Sequence, residues 1–157
     1  MTPRRVFLVC AALFFAELTV GHGQGLIEHY PTAELTVVTA TGPHKFTVEV
    51  ATTPAQMEQG LMFRRSLAPD AGMLFDFKTP TLATMWMKNT LIPLDMLFVD
   101  QHGHIVNIRE RAVPESLETI PAAGPARAVI ELAGGTAERL GIKPGDEVRF
   151  PIFGNAS

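Results

Sequence analysis

The stretch Leu94-Asp95-Met96-Leu97-Phe98-Val99 is apolar at every position but the second. A strand with one wet face alternates apolar and polar residues, because successive side chains point to opposite sides. Both faces are apolar here, so the segment reads as a strand covered from both sides. Its one carboxylate, Asp95, shares a face with Leu97 and Val99. Buried there it needs donors, because an unpaired buried charge is costly.

Outward from this strand the chain is punctuated like a β protein. Strands are expected at Ala33–Ala40 and His44–Ala51, joined by a turn at Gly42-Pro43. The second sets Phe46, Val48 and Val50 against Lys45, Thr47 and Glu49. Further strands are expected at Met73–Phe77, Leu82–Lys88, Ile105–Arg111, Ala128–Leu132 and Glu147–Phe150, with His102-Gly103 turning the chain into Ile105. A first helix starts at Thr53-Pro54, where Thr53 and Gln56 form a capping box, and runs to Gly60 or Leu61. A second, Thr136–Leu140, is stopped by Gly141. Pro114, Pro121 and Pro125 mark an irregular loop between the last long strands. The expected fold is mainly β with short helices: a compact single-domain, closed or partly closed β-barrel over residues 33–151. Residues 24–32 are expected as a flexible leader and 152–157 as a tail.

Upstream, Arg4 and Arg5 precede an unbroken apolar run, Val6 to Ala16, and a small-residue stretch from Gly21 to Gly25. That order is the one a secretory signal peptide requires, with cleavage expected after Gly23. The run is too short to span a bilayer, and Glu17 interrupts it, so no stable membrane span is expected after cleavage. The expected destination is periplasmic or secreted. The chain's only cysteine, Cys10, falls inside this segment, so the mature protein would have neither thiol nor disulfide and no thiolate chemistry.

Net charge is −3, and losing two cations and one anion with the leader takes it to −4. No Lys/Arg run remains, which argues against nucleic acid and anionic membrane surfaces as partners. At 18% charged and 46% hydrophobic residues the composition is globular rather than disordered.

Five ordered blocks carry a resemblance. They are Gly-Leu-Met-Phe-Arg at 60–64, Gly-Met-Leu-Phe at 72–75, Met-Trp-Met-Lys-Asn-Thr-Leu-Ile-Pro-Leu-Asp at 85–95, Val-Ile-Glu-Leu-Ala-Gly-Gly at 129–135 and Leu-Gly-Ile-Lys-Pro-Gly-Asp at 140–146. Over roughly residues 45–150 the chain resembles domain-of-unknown-function family 192, departing from it at Met85, where that family typically carries an aromatic. The resemblance implies a compact β-rich fold and frequent export, and it implies no activity. Ala137 to Val148 also looks like the end of a PDZ domain, but the nearest Gly-Leu-x-Phe string, Gly60 to Phe63, lies too far upstream to serve one such module.

If Leu82–Lys88 is extended, Trp86 and Lys88 share one face while Met85 and Met87 share the other. A flat indole beside an amine, with Asn89 at the strand end, suits the rim of a ligand groove. The plainer alternative packs Trp86 in the core and leaves Lys88 in water. Asp95 has Arg64, Lys88 and the indole N–H as candidate donors, either as a structural brace or as part of the groove. Glu131 lies between Ile130 and Leu132, where the same reasoning applies.

The expected site is therefore a groove of Arg64, Trp86, Lys88, Asn89, Asp95 and Glu131. Its ligand is expected to be small and polar or anionic, possibly carbohydrate. The expected protein is a monomeric, non-catalytic envelope binding or accessory module with no cofactor and no metal. One alternative is a hydrolase or lyase using Asp95 or Glu131 as acid or base, with Lys88 or Arg64 stabilising developing charge. Another is a periplasmic Cu(I)-binding protein using the thioethers of Met85 and Met87.

Overall fold

The computed structural model describes residues 29–156. The leader segment through Gly23 lies outside them, as does Cys10. Strand β5 (Leu94–Val99) is buried at every position, as its unbroken apolar run requires. It pairs antiparallel with β6 (Ile105–Ala112) on one side and β8 (Ala126–Ala133) on the other. Next to β8 runs β3 (Ala71–Thr81), which is parallel to β2 (Gly42–Ala51). A hairpin joins β2 to β1 (Thr32–Thr39), and β9 (Glu147–Arg149) flanks β1. These strands form one seven-stranded sheet in the order β6-β5-β8-β3-β2-β1-β9.

The outermost strands meet. His104 bridges to Glu147, the Ile105 N–H donates to the Asp146 carbonyl at 3.0 Å, and the Val148 N–H donates to the Gly103 carbonyl at 2.7 Å. Such contacts satisfy polar groups that an open edge would leave bare. The result is the mainly β, partly closed barrel that the strand pattern predicts.

Because both faces of β5 are apolar, the sheet carries two cores. One face holds Leu35, Val37, Phe46, Val48, Leu97 and Ile130. Helix α2 (Thr136–Leu140) plugs this side through Ala137 and Leu140. The other face holds Met73, Phe75, Met96, Phe98 and Val129, under a cover built from Tyr30, Leu61, Met87 and Ile120. That cover includes helix α1 (Pro54–Gln59) and a separate two-stranded piece, β4 (Thr84–Met85) with β7 (Ile120–Pro121). The capping box at α1 is formed, with the Gln56 N–H donating to Thr53 Oγ1 at 3.3 Å and the Thr53 N–H to Gln56 Oε1 at 3.2 Å.

Several local expectations are corrected. The β1–β2 turn is Ala40-Thr41, with Gly42-Pro43 already paired in β2. Leu82–Lys88 is not a strand: only Thr84 and Met85 pair, and the chain then turns, with the Thr90 N–H donating to the Met87 carbonyl at 3.0 Å. Asn89 permits this turn by adopting a φ of 55°, a left-handed conformation that Asn tolerates better than most residues. The expected leader contributes a core residue, because Tyr30 is buried against α1. Residues of the expected tail fold back too. Ile152 and Phe153 pack on the first core, and the Asn155 amide donates to the Val148 carbonyl at 2.9 Å.

Candidate functional site

Helix α1, the turn after it, and β4 enclose one cavity of about 260 Å³ against the outer face of β3 and β8. Gly60 ends α1 with a φ of 48°, and the close approach needs it, because a Cβ there would lie 3.0 Å from Phe75 Cζ. Phe75 and Phe77 line the sheet side of the cavity, while Met57, Met62 and Met85 line its cover. Trp86, 44% exposed, stands at the rim. Glu131 is the one charged residue of the sheet that lines it.

Glu131 is placed there by strand alternation. On β8, Ile130 and Leu132 point to the first core and Val129 to the second, so Glu131 points to the second with Val129. Its cross-strand neighbours on both sides are methionines, Met73 on β3 and Met96 on β5. The residue is only 4% exposed, and no described side chain or backbone group hydrogen-bonds or ion-pairs with its carboxyl. Burial pushes its pKa from the usual carboxylate range up to about 8, since nothing nearby stabilises the charged form. A carboxylic acid held neutral in an apolar cavity can donate one hydrogen bond and accept others, and it can pair with an entering cation by releasing its proton.

The other sequence-derived candidates divide. Lys88 Nζ sits 5.0 Å from the centroid of the Trp86 ring, so indole and ammonium do meet, through a turn rather than along a strand. Asn89 lies at the same rim, where its amide approaches Met62 Sδ at 3.8 Å and its carbonyl accepts the Phe63 N–H at 2.9 Å. Arg64 is committed elsewhere, to Glu49 at 2.6 Å, and is not part of the cavity wall. Asp95 is sealed on the opposite face of the sheet. Its carboxylate accepts backbone N–H groups from Arg111 at 2.8 Å, Gly135 at 2.9 Å and Ala137 at 2.7 Å. It is braced by backbone, not by Arg64, Lys88 or the indole.

This placement bears on two chemical alternatives. Asp95 and Glu131 face opposite sides of the sheet, so they cannot act together on one substrate as acid and base. Met85 and Met87 do not present a paired thioether site, because Met87 is fully buried in the second core while Met85 lines the cavity. Sequence reasoning also missed Met57, Met62, Phe75 and Thr90, which join the wall. The apolar Met57, Met62 and Phe75 look like ordinary core in sequence, and only the folding of α1 over the sheet makes them a cavity wall.

Comparison with known proteins agrees with this architecture. A chain of Sinorhizobium meliloti 1021, described as a candidate transcription regulator, is 47% identical, with a TM-score of 0.77 over 82% of this chain and 99% of that one. A protein of unknown function from Novosphingobium aromaticivorans DSM 12444 is 45% identical, with a TM-score of 0.77 over 79% of this chain and 89% of that one. No curated protein matches. The profile of one family, described as an uncharacterised ACR, covers residues 36–150, and the chain accordingly belongs to DUF192.

Proposed function

We propose that this protein is an exported, non-catalytic binding protein of the cell envelope. It takes a small species bearing positive charge or hydrogen-bond donors into the cavity beneath Trp86. The observation that carries this reading is Glu131: a buried carboxyl with no described partner, lining a cavity that opens at an aromatic rim. A structural carboxyl at that depth would ordinarily be paired, as Asp95 is. Sugar hydroxyls, amides and cations all satisfy such a group. The cavity wall includes Glu58 and Glu131 and, among the described residues, neither Lys nor Arg, which favours a cation or a neutral donor over an anion. Export is supported by Arg4-Arg5, the apolar run after it and the small residues at 21–25.

The test is a thermal-shift and titration screen of the exported protein against monosaccharides, small ammonium compounds and metal ions. Binding should weaken at least about tenfold in both Glu131→Gln and Trp86→Ala. A ligand held equally well by both variants, or no binding anywhere in the screen, overturns the reading.

A further inference from the structure

Resting on that reading of the cavity, we propose that its occupant is a soft monovalent metal cation, Cu(I) or its analogue Ag(I), held by the thioethers of Met57, Met62 and Met85. The methionines of this fold are segregated. Met73, Met87 and Met96 belong to the second core, Met57 and Met85 pack against it, and Met62 lines the cavity, while the first core contains none. Methionine used only as adaptable filler has no reason to choose one side of a two-faced sheet.

Three of these side chains are half-buried in the wall of the same cavity rather than sealed behind it. They come from three pieces of chain: Met57 from α1, Met62 from the turn after it, and Met85 from β4. The Met62 sulfur has a single weak contact, the Asn89 amide at 3.8 Å, which a metal can displace. Thioethers are soft and neutral, so they select Cu(I)-class ions and leave the charge of the cation unbalanced. Glu131 has no partner among the described residues, is more than nine-tenths buried and lies in the same lining, where it can supply the balancing charge by releasing its proton to solvent as the cation enters.

Harder ions fit poorly. Calcium and magnesium need six or more oxygen ligands. Among the described residues no three His, Cys, Asp or Glu side chains cluster as a zinc site would require.

The exported protein is titrated with Ag(I), and with Cu(I) under ascorbate against a chromogenic Cu(I) chelator, with its methionine methyl groups labelled with carbon-13. One ion per chain should bind. The methyl signals of Met57, Met62 and Met85 should shift, with those of Met73, Met87 and Met96 nearly unmoved. Met→Leu at each of the three positions keeps volume, so the fold survives, while affinity should fall about tenfold or more per thioether removed. Absence of stoichiometric Ag(I) and Cu(I) binding overturns the inference, as does a triple Leu variant that binds like wild type. If an ammonium or sugar probe binds where Ag(I) does not, the metal assignment falls and the binding-protein reading stands; if nothing binds, both fall.

Discussion

Asp95 and Glu131 stand on adjacent strands, one rung apart, and project to opposite sides of the same sheet. Asp95 collects three backbone N–H groups, two of them from the loop that opens α2. Glu131 collects none among the described residues. The two carboxyls share a residue class, a strand context and near-complete burial, and they differ only in what the rest of the chain brings to them. The first behaves as a structural tie, the second as the floor of a cavity.

Removing the tie should be expensive. Asp95→Ala leaves three buried or half-buried N–H donors without an acceptor, which predicts a loss of about 3–5 kcal/mol in urea unfolding. Asp95→Asn keeps one acceptor oxygen and should cost roughly half as much. A loss under about 1 kcal/mol for the alanine variant contradicts the bracing role.

Glu131 should impose the opposite pH dependence to a paired carboxylate. Its pKa is raised by burial from 4.5 to about 8, so between these values the folded state keeps a proton that the unfolded chain has lost. The contribution of Glu131 is therefore fully present below about pH 4.5 and is lost as pH rises towards 8. Urea unfolding of the metal-free protein at pH 5.5 and 7.5 measures this contribution as the difference in slope between wild type and Glu131→Gln. Parallel curves for the two proteins contradict it.

Trp86 is 44% exposed and lies outside both cores, so Trp86→Ala should change stability by less than about 1 kcal/mol. The same variant should release Lys88 from the ring face it now covers at 5.0 Å. Calorimetric unfolding checks the first expectation. Loss of the Lys88 side-chain methylene ring-current shifts in proton NMR checks the second. A large drop in melting temperature would mean that the indole is a core residue after all.

Gly72 keeps β3 close to β8 behind Glu131. A Cβ at that position would lie 2.6 Å from the Glu131 carbonyl oxygen and 2.8 Å from Leu132 Cδ2. Backbone cannot yield as a side-chain tip can, so Gly72→Ala should destabilise by about 3 kcal/mol. A change below about 0.5 kcal/mol would show that the two strands separate without cost.

Much of the fold was legible because its signals are local. The doubly apolar run of β5 announces a strand between two layers, and the Thr53–Gln56 pair announces the start of α1. Gly141 ends α2 where the pattern places it. The segment after Met85 was misread because its alternation of buried Met87 between exposed Trp86 and Lys88 mimics a strand, while the left-handed Asn89 makes it a turn. The short pair of β4 with β7 could not be read either, since two-residue strands leave no periodicity to detect.

The candidate site was half legible. Trp86, Lys88, Asn89 and Glu131 were recognisable as residue types that need an explanation in apolar or aromatic surroundings, and the fold gathers them around one rim and one floor, with Asn89 and Lys88 at the rim. Arg64 was drawn in by its neighbours in sequence, yet Glu49 from β2 claims it.

Alternation along the chain decided which face each side chain would take, because the two-residue period is a property of the backbone itself. That Asp95 shares a face with Leu97, and Glu131 with Val129, follows from that period alone, while the register of β5 on β8 sets the two carboxyls on opposite sides. Which donors would reach those faces was decided only in three dimensions. The loop at Gly135–Ala137 arrives at Asp95 from forty residues away, whereas α1 and β4 roof Glu131 with thioethers and an indole and bring it no hydrogen bond. Partners so distant in sequence meet through the closure of the sheet and its two cores, and no local pattern encodes that meeting.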